Sequence, residues 1–145
     1  MINSGLMTWQ SWAFLSAAFA ALTAIFAKIG VSDINSDMAT LIRTVIILCV
    51  LALIVLATGQ WQELSGITPR TWLFLTLSAL ATGASWVCYF RALKIGDAAR
   101  VAPVDKLSIV LVAVFGVLIL GERLSATNWL GVGLCTAGIV LVAIR

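Results

Sequence analysis

The sequence predicts an all-α integral membrane protein, a bundle of five transmembrane helices. Three observations carry that prediction. Of its 145 residues 62% are hydrophobic and only 10% charged, far from the balance of a soluble globular domain. The apolar residues gather into five stretches close to the roughly 20 residues that a helix needs to cross a bilayer. The breaks between them are short and polar, and none of the short alternating segments of a transmembrane β-barrel is present. Five such helices nearly use up the chain, so a single domain is expected over residues 1–145.

The first stretch, Trp9 to Ala27, is rich in alanine and could be mistaken for a signal peptide. It lacks a basic n-region, however, and its apolar run is long for an h-region, so it is expected to stay as a helix. Ala13, Ala17 and Ala21 form one row along it and Ala20 and Ala24 the next. Rows of small residues let helix backbones approach closely. The second stretch, Met38 to Thr58, carries Arg43 near its start.

The third stretch, Thr71 to Leu93, places Ser78, Thr82, Ser85 and Tyr89 at steps of three and four, which is one helix face. A polar stripe of this kind either lines a water-filled path or hydrogen-bonds a neighbouring helix. Both readings stay open; the large, donating Tyr89 inclines toward a substrate-lined path. The fourth stretch, Val101 to Leu120, is expected to hold Pro103 in its first turn, where the missing N–H costs nothing. Asp105 and Lys106 follow in that turn. Adjacent helical residues point about 100° apart, so Asp105 shares a face with Ser108 and is expected to benefit from the positive end of the helix dipole.

A charge inside a bilayer is costly. Lys106 can snorkel to the interface, whereas the shorter Asp105 calls for a partner such as Arg91, Lys28 or Arg43. A structural brace and a charged gate or substrate contact both fit. The fifth stretch, Thr127 to Ile144, carries Gly131, Gly133, Ala137 and Gly138, small residues expected to serve packing within the chain or between chains.

Five crossings put the termini on opposite faces, and the basic residues choose a side. Arg70 and Arg123 lie on the N-terminal face; Lys28, Arg43, Arg91, Lys94, Arg100 and Arg145 lie on the other, with Lys106 just inside. The positive-inside rule then predicts N-out, C-in. Trp9, Trp12, Trp61, Trp72 and Trp129 all map to the N-terminal interface and only Trp86 does not, which supports the count of five. The tripeptide Lys-Ile-Gly recurs at Lys28–Gly30 and Lys94–Gly96. It reads mainly as capping, a cation at the negative end of the dipole followed by a terminating glycine.

Several chemistries find no support. The three cysteines, Cys49, Cys88 and Cys135, fall within spans without paired or metal-ligand spacing, and histidine is absent. No nucleophile and base pair, metal-ligand cluster or phosphate-cradling loop suggests an enzyme, a cofactor or a metal site. The net charge of +3 follows from membrane orientation and points to no nucleic acid.

The run "YFRALKIGDAARVAPVDKLSIVLVAVFGVLILGERLSATNWLGVGLCTAGIVLVAI", Tyr89 to Ile144, resembles the second part of an EamA domain of the drug/metabolite transporter superfamily. The resemblance rests on "YFRALKIGDAA" closing the third helix, Pro103, "LGERLS" between the fourth and fifth helices, the glycine-spaced last helix, and Arg43. Full-length members carry two such domains in inverted orientation, so the resemblance implies a half-size member that pairs with a second five-helix unit, as inverted-repeat transporters do. "GLCTAGIV", Gly133 to Val140, is also similar to the last-helix dimerisation segment of the small multidrug resistance proteins. The first helix here lacks their membrane-embedded glutamate, which counts against proton-coupled export of cationic drugs.

The resemblance implies a small-metabolite or drug transporter in the bacterial cytoplasmic membrane, working by alternating access as a dimer. Ser78, Thr82, Ser85 and Tyr89 would face its cavity and Arg43, Arg91, Asp105 and Lys106 its cytoplasmic end. Gly131, Gly133, Ala137 and Gly138 would form the seam, within a homodimer or with an oppositely oriented paralogue. The bias of basic residues to one face fits a competing expectation, a non-transporting membrane subunit that stabilises a larger partner.

Overall fold

Side-chain caps set where several of the helices start. In the computed structural model, which describes residues 8–144, the helices are α1 (Trp9–Gly30), α2 (Ser36–Ala57), α3 (Pro69–Ile95), α4 (Ala98–Asp105), α5 (Ser108–Leu120) and α6 (Ala126–Ala143). Asn35 Oδ1 accepts from the amides of Asp37 at 2.8 Å and Met38 at 3.4 Å, satisfying two of the free donors at the start of α2. Thr68 Oγ1 accepts from the Thr71 amide at 3.2 Å, and Pro69 occupies the first position of α3, where its ring suits the helix. Ser125 caps α6 by accepting from the Asn128 amide.

No strand occurs among the described residues. With Ala98–Leu120 taken as one span, five helices are long and apolar enough to cross a membrane, as the sequence predicts. Arg145, counted above among the basic residues of the C-terminal face, lies outside the described residues. At 27 residues, α3 is about 40 Å long, longer than a hydrocarbon core of about 30 Å. It therefore carries Arg91 and Lys94 toward an interface.

The fourth span differs from expectation. It begins earlier, at Ala98 behind the N-cap residue Asp97, so Pro103 lies inside α4 and not in its first turn. Proline has no N–H to give to the carbonyl four residues back, and the chain after it tightens. Lys106 N bonds Pro103 O at 2.9 Å, Leu107 N bonds Val104 O at 3.0 Å, and Ile109 N bonds Lys106 O at 3.0 Å. These three-residue steps are the 3₁₀ pattern that marks a mid-helix adjustment. Asp105 consequently lies in the last turn of α4 and not in the first turn of the span.

The glycine caps also fall elsewhere than expected. Neither Gly30 nor Gly96 is left-handed; the two positive-φ glycines among the described residues are Gly59 at 65° and Gly121 at 70°, just beyond α2 and α5.

The chain divides into two compact units, residues 26–94 and residues 8–25 with 95–144. In the first, Val31, Phe90 and Leu93 are buried together with Ser36 and Thr40, so its core gathers around the α1–α2 turn and the end of α3. In the second, α6 lies against α4 and α5. Val132, Thr136 and Ile139 recur at helical steps on α6 and are half-buried, while its other residues are exposed.

Candidate functional site

Four basic side chains organise the end of unit 26–94 where α1 stops, α2 starts and α3 stops. Lys28 Nζ donates to the Leu93 carbonyl at 2.7 Å, and Lys94 Nζ donates to the Ile34 carbonyl. The two Lys-Ile-Gly tripeptides thus supply a pair of staples: Lys28 of α1 reaches a carbonyl near the end of α3, and Lys94 of α3 reaches a carbonyl of the α1–α2 turn. Capping is the right chemistry, but it acts between segments.

Arg91 makes a forked pair with Asp37, Nε to Oδ1 at 3.0 Å and Nη2 to Oδ2 at 2.7 Å. This planar two-point match is particular to arginine. Arg43, one and a half turns further along α2, packs over the Trp86 ring at 4.2 Å and the Phe90 ring at 5.5 Å from their centroids. Its Nη1 is buried and takes no hydrogen bond. Ring faces supply the electrostatic attraction that a carboxylate would otherwise provide, and the two N–H donors of Nη1 remain open to an acceptor.

The hydroxyl stripe occupies the same helix. Thr82 Oγ1 donates back to the Ser78 carbonyl at 2.9 Å, and Ser78, Thr82 and Ser85 are all exposed. Tyr89 is half-buried, with its ring edge-on to Phe90 at 6.3 Å. From Ser78 to Arg91, α3 therefore presents hydroxyls along its length and cations at its end.

In unit 8–25 with 95–144, Asp105 Oδ2 pairs with the adjacent Lys106 Nζ at 3.1 Å. Its sequence neighbour thus serves Asp105 as an ion-pair partner, while Arg91 is engaged by Asp37, Lys28 donates to a carbonyl and Arg43 packs on aromatic rings. The tight turn after Pro103 brings the two ends of the pair together. On α6, Gly131, Gly133, Ala137 and Gly138 are exposed. A β-carbon added at any of the three glycines would meet nothing within 4 Å; Gly131 and Gly138 lie on one side of the helix and Gly133 and Ala137 on the other.

Asp37, Trp86 and Phe90 were not among the residues singled out from the sequence. Trp86 carried a signal, being the one tryptophan off the N-terminal interface. Trp86 and Phe90 are also four apart, hence on one helix face.

These five spans, with a cationic, aromatic-lined end and a hydroxyl-bearing helix, match the EamA-like transporter family model over residues 7–144. The chain belongs to that family. This EamA chain is 72% identical over 137 residues to a Sinorhizobium sp. protein named "Uncharacterized transporter in cobO 3'region", covering 94% of the chain and 97% of that relative. No solved structure matches it. One EamA domain over most of 145 residues is consistent with a half-size member of the drug/metabolite transporter superfamily. The EamA chain is an integral membrane protein.

Proposed function

We propose that this membrane transporter moves small metabolites or drugs by alternating access, as a dimer of five-helix units. The observation that carries the reading is the exposed stripe Ser78, Thr82 and Ser85 within a span. Thr82 bonds the Ser78 carbonyl of its own helix, but a row of hydroxyls in the hydrocarbon region is still best matched by water or a polar neighbour. Facing a second unit across a wet path supplies that match and makes them substrate contacts.

Tyr89, Arg43 and Arg91 then stand at the cytoplasmic end of the path, and the Asp105–Lys106 pair acts at the tightened turn of the fourth span. The small exposed residues Gly131, Gly133, Ala137 and Gly138 are the dimer seam, in a homodimer or with an oppositely oriented five-helix paralogue. Amino acids and similar polar metabolites are the substrates that the family suggests. The chain lies N-out, C-in in a bacterial cytoplasmic membrane, and its work is transport without chemical conversion.

Reconstitution of the purified chain in liposomes tests this reading, with counterflow of a labelled amino-acid panel. The expected result is flux of at least one solute, lowered by Thr82→Val and Tyr89→Phe in folded protein. Absence of flux from correctly folded chain, together with its co-purification on a larger membrane protein, would favour the non-transporting subunit.

A further inference from the structure

We propose that the groove between α5 and α6 is a binding site for an ammonium group carried on an apolar body. A cavity of about 430 Å³ runs along this groove, within the range of small-molecule sites. Val112 and Ala113 on α5 and Leu124 and Val132 across from them give it apolar walls, and Ser108 lines it on the α5 side. Its charged lining residue is Glu122.

The position of that carboxylate is specific. Gly121 turns the chain back in a left-handed conformation, and the Glu122 amide closes onto the Gly116 carbonyl at 3.0 Å. The side chain folds back along α5, so that a β-carbon at Gly116 would lie 2.7 Å from Oε2. Glycine at 116 leaves room for the carboxylate beside the helix.

Helix stability does not account for this placement. The C-terminal end of a helix is its negative end and disfavours an acid. The start of α6 is capped independently by Ser125, whose Oγ accepts from the Asn128 amide at 3.2 Å and donates to Asn128 Oδ1 at 2.6 Å. Glu122 makes no ion pair or side-chain hydrogen bond among the described residues. A carboxylate with no partner, reinforced by the end of α5 and set beside apolar walls, fits a cation with a hydrocarbon portion. An ammonium also provides the N–H donors that a carboxylate accepts. Either a free alkylamine or an aminophospholipid headgroup presents this chemistry.

The test is calorimetric titration of n-hexylammonium into the intact chain held in phosphatidylcholine nanodiscs, with empty discs as the baseline and 1-hexanol as the neutral isostere. Saturable binding of the amine but not the alcohol is expected. Glu122→Gln, which removes the charge, and Gly116→Ala, which displaces the carboxylate at unchanged charge, should each weaken it about tenfold or more.

Repeating the titration in phosphatidylethanolamine discs separates the sources: competition identifies the lipid headgroup and unchanged binding the free amine, and both retain the ammonium site. Equal binding by wild type and Glu122→Gln, undiminished binding by Gly116→Ala, or simple partitioning into lipid would overturn it. The readout is independent of transport, so its failure leaves the flux assay untouched.

Discussion

Leu93 and Arg91 lie on the same turn of α3 and should respond to truncation by very different amounts. Leu93 is fully buried, and Leu93→Ala leaves a cavity that neighbours fill only in part, at a cost of about 2 kcal/mol or more. The Arg91–Asp37 pair is geometrically good but more than half exposed at the arginine, where solvent and salt screen it. Unfolding in mixed micelles should show Leu93→Ala much less stable than wild type. Arg91→Ala should show a small loss that high salt abolishes. A large, salt-independent loss for Arg91→Ala would place the pair in a drier setting than its exposure indicates. At this scale composition exposed the cations but not their partners. Arg43, Arg91, Asp105 and Lys106 are conspicuous because charge is scarce, whereas Asp37, Trp86 and Phe90 acquire meaning only once α2 lies beside α3.

Helix existence was legible because hydrocarbon permits few alternatives: a long apolar run must satisfy its backbone internally. The bend in the fourth span was not, since hydropathy reports apolar content and is insensitive to a three-residue shift in where the helix starts. That shift moves Pro103 from a harmless first-turn position to an interior one and produces the 3₁₀ steps through Lys106 and Leu107. Pro103→Ala restores a donor for the Ala99 carbonyl and should return this stretch to regular α-helical bonding. Hydrogen exchange read by mass spectrometry should slow at residues 106–110, with the rest of the chain unchanged. Unaltered exchange there would show that the tight turn has another cause. If α4 and α5 move about this turn during transport, the same variant also lowers flux.

The whole molecule leaves much of its polar and small-residue surface uncovered: the hydroxyls of α3, and the glycines of α6 that touch nothing in the chain. The proposed pairing with a second five-helix unit would cover these groups. Orientation is the first consequence to check. In a background lacking Cys49, Cys88 and Cys135, a cysteine at Gly66 should label with an impermeant maleimide in intact cells, while one at the C-terminus should stay protected. Partial labelling at both sites would mean insertion in both directions and an antiparallel pair of identical chains.

Pairing is the central claim, and counting chains in transporting vesicles tests it most directly. Fluorescently tagged chains are reconstituted at low density, and the copies in each vesicle are counted by stepwise photobleaching while uptake of a labelled amino-acid mixture is followed in the same vesicle. The account predicts uptake confined to vesicles holding at least two copies, with single-copy vesicles silent. Uptake by single-copy vesicles would contradict it, as would silence at every copy number.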